Sequence, residues 1–363
     1  MNIETILRQR ILILDGAMGT KIQALGLTTD SYHRGQFAEW PVSLVGNNDV
    51  LSLTVPDIIR KIHEQYIEAG ADIITTNTFS SNRISQKEYG CEELARDIAL
   101  AGARIARQAA DNLPLTSKIW VAGSMGPTSK SLSLASDMNE PGSRSITFDE
   151  MSAAYEEQAE ALIDGGVDVL LLETCFDALN AKAAIYAIER INERRGTAMP
   201  LMVSATINDR SGRTLTGQTL EAFYISISHY PNLLSFGLNC SFGVTDLRPF
   251  VEQLAGRIPV FLSLYPNAGL PNEMGKYDEL PTYTASHLRR MAEAGLLNIA
   301  GGCCGTNEEH IRAISEALQG LKPRELSPLT PHLSAPNYGC QDWSLCWLIR
   351  KRVTLPMSAS VQT

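Results

Sequence analysis

Glu68-Ala69-Gly70-Ala71-Asp72-Ile73-Ile74 reads as the end of a helix, a glycine stop and the start of a strand, with nothing between them. The phrase returns as Ile163-Asp164-Gly165-Gly166-Val167-Asp168-Val169-Leu170, and again as Glu293-Ala294-Gly295-Leu296-Leu297-Asn298-Ile299. A helix closed by glycine and followed at once by a buried strand is the unit of a repeating βα architecture. Ahead of the first copy, Ile58, Ile59, Ile62, Tyr66 and Ile67 fall at helical spacing behind Pro56, a residue suited to a first turn. The strands are continuous apolar runs, as expected where both faces of a sheet are covered.

Extending this reading along the chain gives strands at 11–15, 71–78, 119–124, 167–173, 200–206, 233–239, 260–265 and 297–301. Helices follow at about 56–69, 92–112, 148–165, 177–194, 218–229, 243–256, 282–294 and 307–319. Eight βα pairs predict one closed α/β domain over residues 1–323, a (β/α)8 TIM-like barrel with its active site at the carboxyl-terminal ends of the strands. An open doubly wound sheet is the competing arrangement. Two connections are long, 16–55 and 125–147, and the second is rich in Ser, Pro and Gly, which suits a lid or docking surface. After Pro323 the pattern stops, so residues 324–363 are expected to form a linker or irregular tail, with Trp343, Trp347 and the basic Arg350-Lys351-Arg352.

Composition narrows the class. Of 363 residues, 44% are hydrophobic and 20% charged, the balance of a globular protein. The formal charge is −9, with no long basic block, which argues against a nucleic-acid partner. No apolar run suggests a membrane span, and Met1-Asn2-Ile3-Glu4 does not open a signal peptide. Seven cysteines at scattered spacing argue against a secreted disulfide framework, so a cytoplasmic setting with reduced thiols is expected.

Three of those thiols stand where strands end. Cys240 closes Gly237-Leu238-Asn239-Cys240, and Cys303 and Cys304 lie in Gly301-Gly302-Cys303-Cys304-Gly305. Buried free cysteines are ordinary core residues, but adjacent thiols between glycines, with a third at another strand end, fit one metal better. Three thiolates are one ligand short of a closed zinc tetrahedron, and an open position is what a catalytic zinc keeps. Three protein thiolates give such a site a formal charge of about −1, and a fourth would give about −2 and leave sulfur electron-rich. This is poor for polarising a carbonyl and good for holding a reactive substrate thiolate.

Asp15-Gly16-Ala17-Met18-Gly19-Thr20, Thr75-Thr76-Asn77-Thr78-Phe79, Gly123-Ser124-Met125-Gly126-Pro127 and the two cysteine motifs together resemble the zinc-dependent homocysteine S-methyltransferase family, over about residues 8–323. Trp40-Pro41, Gly46-Asn47-Asn48-Asp49 and Tyr265-Pro266-Asn267-Ala268-Gly269-Leu270-Pro271 resemble the homocysteine-binding module of cobalamin-dependent methionine synthases. Where the family has a second glycine after the first aspartate, this chain has Ala17. The resemblance implies zinc on Cys240, Cys303 and Cys304, L-homocysteine as substrate, and Asp15 and Glu173 holding its ammonium group. It also implies methylcobalamin as methyl donor, supplied by another module, with cobalamin- and folate-binding modules or chains as partners. Neither kind of module is present here, nor is an Asp-x-His-x-x-Gly signature.

The remaining candidates come from strand ends. Ser204 and Thr206 are expected to donate to the substrate carboxylate, Asn239 and Asn267 to shape the pocket, and Phe79 to wall the thioether chain. His63, His229, His287 and His310 fall on predicted outer helices, where they are expected to be solvated or helix-stabilising, and Cys91 and Cys175 are expected to be structural. Two rivals share these residues: a standalone methyltransferase using S-methylmethionine, betaine or a related donor, and a non-catalytic barrel with structural zinc or a redox-switching cysteine pair.

Overall fold

A computed structural model describes residues 2–113 and 118–326, so the expected tail beyond Leu326, with its tryptophans, Cys340 and Cys346, lies outside the described residues. Eight parallel strands form one sheet: β1 Leu12–Ile13, β2 Ile73–Thr75, β3 Trp120–Met125, β4 Val169–Cys175, β5 Leu201–Ala205, β6 Leu233–Gly243, β7 Phe261–Asn267 and β8 Ile299–Ala300. The strand order is β1-β8-β7-β6-β5-β4-β3-β2. The last seam, β1 to β2, is joined by a parallel bridge at Leu14 and Ile73, with hydrogen bonds from Asp15 N to Ile73 O (3.0 Å) and Asp72 N to Ile13 O (2.7 Å). The expected (β/α)8 barrel is the fold, and the open sheet is not.

Helices Pro56–Glu68, Ala95–Asn112, Phe148–Asp164, Ala178–Arg195, Leu220–Ile227, Val244–Ala255, Pro281–Glu293 and Glu308–Leu318 follow the strands in turn. Local chemistry sets several of their starts. Pro56 and Pro281 occupy first turns, and Thr147 with Glu150 forms a capping box that satisfies two otherwise orphan amides. One apolar layer lies between strands and helices, where Ile98, Leu170, Val203, Leu264 and Ile311 pack. A second, inside the barrel, contains Leu12, Leu14, Ile73, Trp120, Leu171, Met202, Phe261, Tyr265 and Ile299.

The repeated phrase that reveals the fold has a structural cause. Its polar residue sits at the amino-terminal end of an even-numbered strand and accepts an amide from the odd strand beside it. Asp72 accepts from Ile13 N (2.9 Å), Asp168 from Val121 N (2.9 Å), and Asn298 from Leu262 N (2.9 Å). The same end of the barrel is plugged by the short helix Ile3–Leu7, whose Ile3 and Leu7 join the inner core. Arg324, 4% exposed, closes that end by donating to the carbonyls of Ala255, Val260 and Ile258.

Several expectations need correction. Strands β1, β2 and β8 are shorter than their apolar runs, because the ladder stops where the chain bends into the connections. Strand β6 runs past 239 to Gly243, so Cys240 lies within it. The long connection 16–55 holds the helical turns Met18–Ala24, Thr29–Tyr32 and Leu51–Thr54. In connection 125–147 the first half is tied down, with Ser131 and Ser133 bonded to Asp177 and Leu132 N to Asn180. His63 is not solvated but fully buried with neither ring nitrogen paired, whereas His310 does cap its helix, bonding Asn307 and the Glu279 carbonyl. Cys91 and Cys175 are both buried.

Candidate metal and substrate site

The carboxyl-terminal mouth of the barrel holds a cavity of about 850 Å³, the size range of small-molecule sites. Asp15, Thr75, Glu173, Thr174, Tyr265 and the three thiols line its inner part, while Phe79, Tyr32, Asp49 and Tyr89 line it elsewhere. No Lys, Arg or His is among the lining residues.

The sulfurs of Cys240, Cys303 and Cys304 lie within 4.8 Å of one another, with Cys240 and Cys304 3.9 Å apart. That is too long for a disulfide, whose bond is about 2.05 Å. A tetrahedral zinc with Zn–S bonds of about 2.3 Å would set neighbouring sulfurs about 3.8 Å apart, so the donor set fits this metal. Hydrogen bonds from Cys303 and Cys304 pull the Cys240 thiol below its ordinary pKa, and the same contacts push Cys303 and Cys304 up, as when one thiolate is shared among three sulfurs. Asn267, 3% exposed, keeps a buried Oδ1 without a partner and interacts with Cys240.

Backbone strain aims these groups. The non-glycine residues with left-handed φ among the described residues are Thr174 (56°), Cys240 (59°) and Ser241 (62°). Each such residue costs on the order of 1–3 kcal/mol. All three sit where the β4 and β6 ladders shift register, between Leu172 and Cys175 and between Asn239 and Gly243. These breaks turn Thr174 and Cys240 out of the sheet towards the cavity. Asn239, 1% exposed, bridges the two kinks: its Oδ1 accepts from Thr174 N (3.0 Å) and Ser204 Oγ (2.7 Å), and its Nδ2 donates to Thr174 Oγ1 (2.8 Å). Gly305 has a φ of +81°, and a Cβ there would lie 2.3 Å from Tyr277, which lines the cavity beside Cys304. Ala17 has an ordinary extended φ of −69°, so its methyl group is accommodated.

Both carboxylates are held by hydroxyls. Asp15 accepts from Thr75 N (2.8 Å) and Thr75 Oγ1 (3.0 Å), and Glu173 accepts from Ser124 Oγ (2.5 Å). Burial lifts Asp15 well above the carboxylate range, against the Thr75 bonds, and the nearby Glu173 charge adds to it. Burial likewise lifts Glu173 to about 7, with the Ser124 hydroxyl opposing. Two neighbouring acids without a basic partner make a position that a cation would relieve.

Seven of the ten residues singled out from sequence converge on this mouth: Asp15, Glu173, Phe79 and the three cysteines line the cavity, and Asn239 lies behind Thr174. Ser204 and Thr206 do not line it, because each hydroxyl is turned to β6, to Asn239 Oδ1 and to Ser241 Oγ (2.5 Å). Asn267 is next to Cys240 and outside the lining. Sequence reading passed over Thr75, Ser124 and Tyr265, although each stands inside a quoted strand-end motif.

The pattern that defines the homocysteine S-methyltransferase family matches residues 12–318. Among solved structures, the chain is similar to the homocysteine methyltransferase MmuM of Escherichia coli in its metallated form, at 24% identity and TM-score 0.65, over 86% of this chain and 98% of that one. The oxidised form matches at 22% identity and TM-score 0.67, over 86% and 97%. At this identity the likeness to MmuM speaks for the barrel. No helix among the described residues is long and apolar enough to cross a membrane.

Proposed function

The chain belongs to the homocysteine S-methyltransferase family, and from that premise we propose that it binds zinc on Cys240, Cys303 and Cys304 and transfers a methyl group to the thiol of L-homocysteine, giving methionine. The observation that carries this reading is the placement in one cavity of three converging thiols with a buried Asp15 and a half-buried Glu173 that have no cation partner among the described residues. Zinc bound there supplies the Lewis acidity that keeps a substrate thiol deprotonated near neutral pH. Asp15, oriented by Thr75, and Glu173, oriented by Ser124, take the ammonium group, whose charge holds both acids ionised. Asn239 keeps Thr174 and β6 in the kinked geometry that aims Cys240. Phe79, 38% exposed at the rim, borders the path along which the donor arrives. The sulfur–carbon bond forms as the donor–methyl bond breaks, the electron pair of the broken bond leaves with the donor, and the thiol proton goes to solvent.

For the donor we propose methylcobalamin carried by a separate module, with folate- and cobalamin-binding modules as partners and residues 1–323 as the barrel domain. Support comes from Gly46–Asp49 and Tyr265, motif residues of that branch which line the cavity. A second reading, a standalone enzyme using S-methylmethionine, betaine or a related onium donor, is favoured by the acidic lining without a basic residue. Assaying the chain with each donor separates the two: turnover with methylcobalamin alone supports the first, and turnover with an onium donor alone removes it. Zinc-edge X-ray absorption tests the chemistry common to both. Homocysteine should add one sulfur to the zinc shell, and an unchanged spectrum would favour a non-catalytic zinc or redox-switch barrel.

A further inference from the structure

Among the buried side-chain atoms without a hydrogen-bond partner, one belongs to a residue lining the cavity: the Tyr265 hydroxyl. Tyr265 is 2% exposed and belongs to the apolar layer inside the barrel, the layer against which Cys303 packs. A buried hydroxyl left unpaired is destabilising, and phenylalanine would fill the same volume without that cost. Burial and the adjacent Glu173 charge hold the phenol well above its ordinary pKa, so it remains a protonated donor.

The acceptor it faces is also identifiable. Tyr265 and Glu173 line the same cavity, close enough that the phenol favours the ionised carboxylate, yet no hydrogen bond joins them. Ser124 occupies Glu173 Oε1, and no protein donor among the described residues reaches Oε2. Ser204, also near Tyr265, gives its proton to Asn239 Oδ1 and makes no bond with the phenol.

We propose that Tyr265 is a positioning residue for the substrate's amino group: its hydroxyl closes onto Glu173 when an ammonium draws that carboxylate into the cavity. It thereby sets a preference for an α-amino thiol over the same thiol without the amino group. The inference rests on the reading that Glu173 meets the ammonium of homocysteine.

The test compares the zinc-loaded full chain with Tyr265→Phe, using L-homocysteine and 4-mercaptobutyrate, the same thiol acid lacking the amino group. Tyr265→Phe is expected to raise KM for L-homocysteine about 5- to 10-fold, the effect of one ordinary hydrogen bond. It should leave kcat within about twofold, hold or raise the melting temperature, and leave the zinc content and the KM for 4-mercaptobutyrate unchanged. Adding it to Glu173→Gln should cause little further loss, because both act at one point. An unchanged KM for L-homocysteine, or an equal rise for both thiols, overturns the inference alone. A wild-type chain that does not bind L-homocysteine overturns both it and the reading beneath it.

Discussion

The two ends of the barrel treat buried charge in opposite ways. At the amino-terminal end, Asp72 meets Arg10 through two bonds of 2.7 Å, Asp168 meets Arg107 (2.8 Å) and Lys118 (2.6 Å), and Arg324 is spent on three carbonyls. At the carboxyl-terminal end, among the described residues, Asp15 and Glu173 have hydroxyl and amide donors but no cation, three non-glycine residues are left-handed, and Tyr265 keeps an idle hydroxyl. The first end is finished as it stands, whereas the second lacks what a ligand brings. Stability and function are thereby assigned to opposite ends of the same eight strands.

The largest effect that would sharpen this contrast is at the finished end. Arg324→Ala strands three buried carbonyls and should lower unfolding free energy by about 3 kcal/mol, measured by denaturant titration, without altering KM. A raised KM would mean that the two ends are coupled. At the unfinished end, Glu173→Ala should raise KM for homocysteine about 30-fold, the loss of a partly buried charge pair, with zinc content and stability near wild type. Unchanged KM would remove the carboxylate from the ammonium site.

The smallest effect concerns the outer helices, where neither pattern holds. Burial lowers His63 to about 4 from the ordinary 6.5, so below pH 6.5 the unfolded chain binds a proton that the folded chain refuses. Stability from this residue is therefore intact above pH 6.5 and falls as pH drops towards 4. Between pH 6.5 and 5.5 the fall should be about 1 kcal/mol, and His63→Leu should flatten that part of the stability curve. A curve of the same slope in the variant would clear His63 of the effect.

What sequence made legible follows from the range of the forces involved. Apolar runs and glycine stops are local, so Ile73, Val169 and Ile299 fall in strands as read. The three thiols were also placed by local signals, since each follows a run that ends in glycine or asparagine. Depth inside a barrel is not local: Ser204 and Asn239 were both strand-end polar residues, and only the closed sheet shows that one lies behind the other. The kinks at Thr174 and Cys240 were hidden too, because a bulge inserts no distinctive residue. The helix Ile3–Leu7 is too short to show a period, although its apolar residues seal the floor. Tyr265 left a readable trace, since Phe261, Ser263 and Tyr265 alternate along β7 and the last of them must face the interior near the mouth.

The seam between β1 and β2 gives Asp15 a second duty. Its main-chain amide joins Ile73, and its carboxylate takes the Thr75 amide at the point where the backbone ladder runs out. The acid proposed to greet the incoming amine is thus also a clasp on the sheet's thinnest join. A ligand that draws on that acid should therefore loosen or tighten the clasp as well, and the rate at which the Thr75 amide trades its hydrogen with heavy water should change when it arrives.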